Sequence, residues 1–398
     1  SSSVSSGLRA LRGAGRDSDL VFRYGGDEFV LLLVETDGNG DETRYPNRIG
    51  SYSKAMPHNA FGEVDGAAYQ KLLDALESGR PADFEAIPLG GTGEGPVGKL
   101  VNPQSGLAFD IEGADSHAFA IPPAPRLDSA EEAGEEVELY WMALLRDVNF
   151  NDYGSNPLAA AAISELNSLS VFKGPKNNGQ VNARTLFRDV VPGGKVGPYL
   201  SQFFVQPTPF GSEFVDRRSR VFSPGVDFLT TVDNYLQVQN GRVPNETATF
   251  DSTRRYIRNG RDLSRWVNID VLFQGYFNAC LILLTGPNED DPFSGGMGCP
   301  FNPGNPYNNS STQFGFGTFG PPGLKALLCE VASRALKAVW FQKWYVHRRL
   351  RPADYACRVH FQKTTNRYPG ILHPDVLNSE AVDRVHDAHG TYLLPRRP

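Results

Sequence analysis

The sequence has no apolar run approaching the roughly 18 residues that a membrane-spanning helix needs. Its longest, Ala279 to Leu284, has the length of a buried helical segment. Cysteine is scarce. Cys280, Cys299, Cys329 and Cys357 are widely spaced with no CxxC pair, which argues against a zinc site or a dense disulfide framework and leaves one or two bridges open. A basic excess is missing too: the formal net charge of −6 argues against general nucleic-acid binding. The chain begins at Ser1 with neither Met nor an apolar leader, so a targeting peptide is expected to be absent or already removed, and the compartment stays open. What is present suits a globular fold. The 398 residues are 40% hydrophobic and 21% charged, enough for one large domain or two ordinary ones.

The most informative stretch is Leu324 to Pro352, LKALLCEVASRALKAVWFQKWYVHRRLRP. Leu324, Leu327, Leu328, Val331, Ala335, Ala338 and Val339 recur at three- and four-residue steps, the period of an amphipathic helix. Pro321, Pro322 and Gly323 punctuate its start, and Pro352 is expected to end or kink it. Lys343, Trp344, Tyr345, His347, Arg348, Arg349 and Arg351 crowd into nine positions. Cations offset the dipole at a helix C-terminus, but this density exceeds what a cap requires. On one continuous helix Lys343 and Arg351 would lie about 80° apart around the axis, close enough to reach one pocket.

Lys343, the spacer Trp344 to Leu350, and Arg351-Pro352 resemble the first anion-binding motif of the vanadium-dependent haloperoxidases, whose fold and site are shared with the acid phosphatase superfamily. KWYVHRRLRP closely resembles the bromoperoxidases of red algae and their bacterial relatives. The segments Gly98 to Asp115, Ala120 to Pro125, Gly197 to Phe203 and Asn278 to Leu284 resemble that family in the same order, so the likeness covers roughly Tyr45 to Leu394. It implies a mainly α-helical bundle of the haloperoxidase/acid phosphatase type, with vanadate as cofactor. Lys343 and Arg351 would hold the vanadate oxygens and act as the catalytic pair, with His347 and Trp344 as pocket candidates near the halide. Partners implied are hydrogen peroxide, halide (bromide above all) and a small organic substrate, in a homo-oligomer. The family's later Ser-Gly-His segment and vanadium-binding histidine find no match after Pro352; His386 and His389 sit in VHDAHG, which differs. The bundle is therefore expected to be incomplete within these residues, inactive by itself, and to expose an apolar face on the helices at Asp262 and Leu324.

Residues 1–40 read separately from 41–398. β-branched and aromatic runs flank Gly25-Gly26-Asp27-Glu28-Phe29, a hairpin pattern with its turn at the glycines. The stretch resembles a fragment of a GGDEF diguanylate cyclase domain, including an inhibitory-site pattern at Arg16 and Asp19. The family would place Asp27 at the nucleotide-bound metal and let backbone at Gly25 and Gly26 approach the substrate. Some thirty residues cannot bury a core, so a small hairpin without cyclase activity is expected. Gly93 to Lys99 imitates a phosphate-binding loop, but Leu100 stands where Ser or Thr is required, and a plain loop is expected.

Elsewhere the pattern predicts helices at Ala67–Glu77, from a cap at Asp128 or Ser129 to about Arg146 (with Leu139, Met142 and Leu145 buried), from Asn156-Pro157 to Leu166, at Val181–Val191 and from Asp262 to Leu284. Strands are expected at Leu107–Ile111, Phe203–Val205 and Arg218–Phe222. Two other functions remain open: phosphate-ester hydrolysis by the same pocket, which p-nitrophenyl phosphate would reveal, and cyclic di-GMP binding through Arg16 and Asp19 without catalysis.

Overall fold

The computed structural model describes residues 38–91, 98–190, 194–195, 197–269, 273–287 and 296–396, with the backbone of two strands nearer the N-terminus. In chain order the strands and longer helices are β1 (Leu20–Gly25), β2 (Glu28–Leu32), α1 (Gly66–Ser78), α2 (Ala130–Leu144), α3 (Pro157–Ser168), β3 (Thr208–Phe210), β4 (Glu213–Val215), β5 (Ser219–Phe222), α4 (Val232–Gln239), β6 (Phe250–Arg255), α5 (Gly260–Ile269), α6 (Gln274–Leu284), α7 (Pro321–Phe341), α8 (Pro352–Thr365) and α9 (Glu380–His389). The fold is mainly α, as expected. Its strands form two-stranded sheets, β1-β2, β3-β4 and β5-β6. The N-terminal hairpin is present, with Leu20 opposite Leu32 and Gly25 opposite Glu28. No helix among the described residues is long and apolar enough to cross a membrane.

The chain divides into two compact units. The first comprises Ser1–Leu127, Leu236–Val243 and Lys337–Tyr355. Its core is built on α1, whose Tyr69, Leu72, Ala75 and Leu76 pack with Tyr52, Met56, Val64, Ile87 and Trp344. The Asp65 carboxylate accepts from the Ala68 amide at 2.8 Å, starting α1, and Gly79 in the left-handed region closes it. Fully burying a side chain such as Leu72 contributes roughly 1.5–3 kcal/mol.

The second unit comprises Asp128–Tyr235, Pro244–Leu336 and Ala356–Pro398. Ser129 caps α2 by accepting from the Glu132 amide at 3.1 Å. The buried stripe of α2 is Ala133, Val137, Tyr140 and Trp141, continuing to Leu145; Leu139 and Met142 are only half-buried, which corrects the expected stripe. Gly134 is required there, since a Cβ would stand 2.4 Å from the Val171 carbonyl oxygen. Glu165 of α3 accepts from the Trp141 indole at 2.6 Å and from the Glu380 and Ala381 amides at 2.7 and 3.1 Å. One carboxylate thus ties α2 to the positive end of α9.

Four local expectations fail for identifiable reasons. Val181–Val191 forms no helix over its described residues: the Asn182 carbonyl takes the Thr185 and Leu186 amides, Thr185 Oγ1 accepts from the Asn182 amide, and Phe187 has φ 57. Leu107–Ile111 has no neighbouring strand and follows a 3₁₀ turn over Pro103–Leu107, leaving Phe109 and Ile111 exposed. Gln202–Phe204 is likewise a 3₁₀ turn. The single helix expected from Asp262 to Leu284 is two, because Phe273 (φ −119, ψ 9) is the non-helical cap of α6. The strand expected at Arg218–Phe222 is β5, paired with β6. All four cysteines are free thiols, so neither bridge left open by the sequence is formed.

Candidate functional site

Lys343 and Arg351 do not share one helix. After α7 the backbone widens into a π-helical turn over Gln342–His347, closed by the Arg348 amide donating to the Lys343 carbonyl at 3.1 Å. Arg348 then adopts the left-handed conformation (φ 35, ψ 43), which no regular helix tolerates. Arg349 pairs antiparallel with Ser51, and the Tyr52 amide donates to the Arg348 carbonyl at 2.8 Å. Pro352, expected to terminate a helix, is the first residue of α8. Its fixed φ and missing N–H suit that position, and the Arg351 carbonyl accepts from the Asp354 and Tyr355 amides at 2.9 and 3.0 Å.

The break is held by a buried ion pair. Arg348 Nη2 lies 2.5 Å from Glu42 Oε2, with both side chains under a tenth exposed, and Arg348 Nη1 donates to the Trp344 carbonyl at 2.9 Å. Burial opposes the Arg348 charge, but the hydrogen bond and charge of Glu42 more than offset it and raise its pKa. Burial, then the Glu42 charge, pushes the Tyr69 phenol beside this pair well up. Arg348 is thus a structural cation, committed to Glu42 and the Trp344 carbonyl.

The two cations nevertheless lie within each other's field. Lys343 Nζ sits 4.9 Å from the Trp340 ring centroid, 5.4 Å from Trp344 and 5.5 Å from Tyr52, three aromatic faces around one ammonium. Burial raises the Tyr52 pKa, and the Arg351 charge nearby pulls against it. Burial, together with the Arg351 charge, lowers the Lys343 pKa. Among the described residues neither cation is paired with a carboxylate. Asp354 also acts on Tyr52, and it accepts a hydrogen bond from Gln239. Two half-buried like charges with no counter-ion raise each other's cost, and an anion with several oxygens is what removes it.

The other sequence candidates fall around this pair. Trp344 is fully buried, edge-on to Tyr52 at 5.2 Å, and spends its indole N–H on the Val101 carbonyl at 3.1 Å. Its ring lies against the Lys343 ammonium and is closed to solvent. His347 Nε2 lies 3.1 Å from Gln342 Oε1, and its ring abuts Gly38, where a Cβ would come within 2.6 Å of Nδ1. Burial, with Arg348 nearby, lowers the His347 pKa, so it is the neutral ring that this position favours. Gly25 and Glu28 are the last pair of the β1–β2 ladder; Arg16, Asp19, Gly26 and Asp27 lie outside the described residues, as does most of the Gly93 to Lys99 loop. Among the described residues no group of three or more His, Cys, Asp or Glu could hold a metal ion. His360, His386 and His389 have local partners: the Tyr392 amide, the Tyr392 ring and Asp227 respectively.

Sequence reasoning missed Tyr52, Trp340 and Gln239. Trp340 was legible in hindsight, one helical step before Lys343. Tyr52 and Gln239 carry no signal, since they come from distant turns of chain. A cavity of about 310 Å³ elsewhere, in the second unit, is lined by Arg217, Arg218, Arg254 and Trp266, but Asp216 pairs with both Arg218 and Arg254.

The fold is that of a known class of helical enzymes. A solved structure of the second vanadate-dependent bromoperoxidase of Ascophyllum nodosum, a homohexamer, superposes with a TM-score of 0.78 at 31% identity, covering 92% of this chain and 61% of that one. No protein-family profile matches the chain. Curated relatives do: a vanadium-dependent bromoperoxidase of Corallina pilulifera is 32% identical over 414 residues, 86% of this chain and 67% of the relative. Those of Corallina officinalis and Ascophyllum nodosum are 32% identical over 387 and 386 residues, covering 80% and 91% of this chain and 63% and 66% of themselves. The chain therefore belongs to the vanadium-dependent bromoperoxidase family. It spans about two thirds of the length of these relatives.

Proposed function

We propose that Lys343 and Arg351 form the oxyanion-binding half of a vanadate site, in a protein that oxidises bromide with hydrogen peroxide and halogenates small organic substrates. The observation that carries this is a pair of cations within each other's field, Lys343 faced by Trp340, Trp344 and Tyr52, with neither cation paired to a carboxylate among the described residues. The donor chemistry fits vanadate: the planar Arg351 fork suits two oxygens, and the Lys343 ammonium is a compact charge for a third. Vanadate, when bound, would supply a Lewis-acidic centre that activates peroxide toward halide. The residues of this chain bind and orient. Arg351 fixes the oxyanion's rotation, and Lys343 keeps its proton on Nζ as a donor to oxygen. Trp340, Trp344 and Tyr52 keep water from the ammonium and strengthen its field.

No residue after Pro352 matches the family's Ser-Gly-His segment, so the 398-residue polypeptide assayed by itself should bind the oxyanion weakly and not turn over. Titration calorimetry with orthovanadate should show binding that Lys343→Ala and Arg351→Ala each abolish; no binding would defeat the oxyanion reading. Robust bromination of monochlorodimedone by these residues with vanadate and peroxide would overturn the expectation of inactivity. The homohexameric relative and the exposed Leu327, Val331 and Val339 of α7 support self-association, which sedimentation velocity measures.

A further inference from the structure

We propose that His360 is an acid-sensitive latch on residues 390–396, which it holds while its ring is neutral and releases when the ring is protonated. Every group involved belongs to the second unit. Gly390, in the left-handed region, closes α9, and the residues after it belong to no helix. They are fastened one contact at a time. Thr391 Oγ1 donates to the Thr230 carbonyl at 2.7 Å, and the Tyr140 hydroxyl donates to the Tyr392 carbonyl at 2.5 Å. Arg146 Nη2 donates to the Pro395 carbonyl at 2.6 Å, and Phe228 and Arg396 exchange two backbone hydrogen bonds of 2.8 Å. Histidine is the side chain that changes charge between about pH 5 and 8, and none of these contacts uses one.

The remaining fastening does. The Tyr392 amide donates to His360 Nδ1 at 3.2 Å. A backbone amide can only donate, so Nδ1 presents its lone pair and the ring's proton sits on Nε2. A second proton would set two N–H groups against each other and place a charge on a residue only 8% exposed. Among the described residues no carboxylate stands within ion-pair distance of His360 to answer that charge. The neighbouring cations work in the same direction. His386 of α9 stacks on the Tyr392 ring at 4.3 Å, and its charge opposes one on His360. Lys363 of α8 lies 4.7 Å from the Tyr392 ring centroid and is paired with Asp383 of α9 at 2.9 Å. Tyr140 of α2 has Glu136 and Cys357 beside it, and burial keeps its phenol protonated. His389 alone has the opposite sign, since a proton there strengthens its 3.5 Å contact with Asp227. Burial, then the His386 charge, lowers the His360 pKa. The stability that the latch contributes is therefore complete above the unfolded value of 6.5 and is lost as pH falls from there through the lower folded value.

The test is hydrogen exchange of the whole 398-residue chain at about pH 7.5 and pH 5, read by mass spectrometry and corrected for intrinsic exchange rates. Peptides covering residues 390–396 should lose roughly tenfold in protection at the lower pH, while those from α2 keep theirs. His360→Asn replaces Nδ1 by a carbonyl oxygen that accepts and does not titrate, so it should keep the segment protected at both pH values. His386→Phe keeps a ring against Tyr392 and removes the neighbouring titration, and should still respond to acid. A response that survives in His360→Asn, or that disappears in His386→Phe while persisting in His360→Asn, would overturn the proposal. So would equal loss of protection in α2, which is global acid unfolding, or no loss in wild type at pH 5. Nitrogen-15 spectra of the wild-type histidine rings keep the test open should either variant fail to fold. At neutral pH His360 should carry its proton on Nε2, and a proton on Nδ1 would overturn the latch.

Discussion

Each compact unit contains a cluster of cationic side chains, and the two clusters are balanced in opposite ways. In the second unit Arg261, 1% exposed, is gripped by Asp147 at 2.5 and 2.8 Å and by Asp227 at 3.3 Å; Asp227 also takes Arg146 at 3.2 Å and His389 at 3.5 Å. Arg261 Nη1 and Arg146 Nη2 find further acceptors in the Val226 and Pro395 carbonyls. Every charge there is answered within the fold. In the first unit Lys343 is answered by three aromatic faces, which do not neutralise it, and neither it nor Arg351 is paired with a carboxylate among the described residues. The first arrangement is closed by its own counter-charges; the second leaves two positive charges without one among the described residues. Density of Arg and Lys does not separate the two cases, whereas the presence or absence of a counter-charge does.

The largest effect expected from this contrast is on stability. Arg261→Ala leaves two carboxylates without their partner and should cost about 3–5 kcal/mol in urea denaturation. Arg351→Ala removes a charge that the fold does not balance and should cost less than about 1 kcal/mol. Equal losses would erase the distinction between the clusters. The acid limb sharpens it. Burial works against the Asp147 charge, but hydrogen bonds from Arg261 and the Gly225 amide prevail, so its folded pKa lies below 3.8. The stability it contributes is complete above the unfolded value of 3.8 and is lost as pH falls through its lower folded value. Arg261→Gln should flatten that limb in a pH series of melting curves.

A buried anion without a counter-charge supplies the converse. Burial, then the Glu135 charge, pushes the Glu138 carboxyl up to about 7. Its stability contribution is full below the unfolded value of 4.5 and falls as pH rises through about 7. Glu138→Gln should therefore stabilise the protein at pH 8 by roughly 1 kcal/mol and be neutral near pH 4. The smallest effect concerns Lys343. Its lowered pKa means that its charge costs stability at neutral pH, a cost that disappears as pH rises from its folded value past 10.5. Lys343→Met should change stability by less than about 1 kcal/mol at pH 7, since the lost aromatic contacts offset the relieved charge. A large destabilisation would show that Lys343 is structural.

The sequence made some of this legible and hid the rest for physical reasons. Helix starts written in caps were plain where Asp128-Ser129 and Asn156-Pro157 stand: Ser129 begins α2 and the Asn156-Pro157 pair begins α3, while the Asp65 cap of α1 went unread. The apolar stripe of α7 was also plain, and its exposure at Leu327, Val331 and Val339 fits the expected uncovered face. The break after His347 was not. Its apolar and aromatic spacing continues through Trp344 and Tyr345, and nothing local announces that Arg348 turns left-handed. Its stability comes from Glu42, some three hundred residues earlier in the chain. Pro352 was read by its power to stop a helix when its place is at the start of one, and the polar stretch that follows concealed α8 and α9. Lys343 and Arg351 were found by resemblance to a motif, but the helix argument offered for their meeting was wrong. They come within each other's field across a broken helix, with Lys343 held against Tyr52, which belongs to a turn-rich segment without periodicity.

The most direct measurement is the melting temperature as a function of orthovanadate and of phosphate, for wild type, Lys343→Met, Arg351→Gln and an Arg349→Gln control. An anion that binds only the folded state adds about 2.7 kcal/mol at a hundred times its dissociation constant, so even weak binding is visible. Wild type and Arg349→Gln should be stabilised in a concentration-dependent way, and the Lys343 and Arg351 variants should not respond. Equal stabilisation of all four proteins would contradict an oxyanion site built on these two cations.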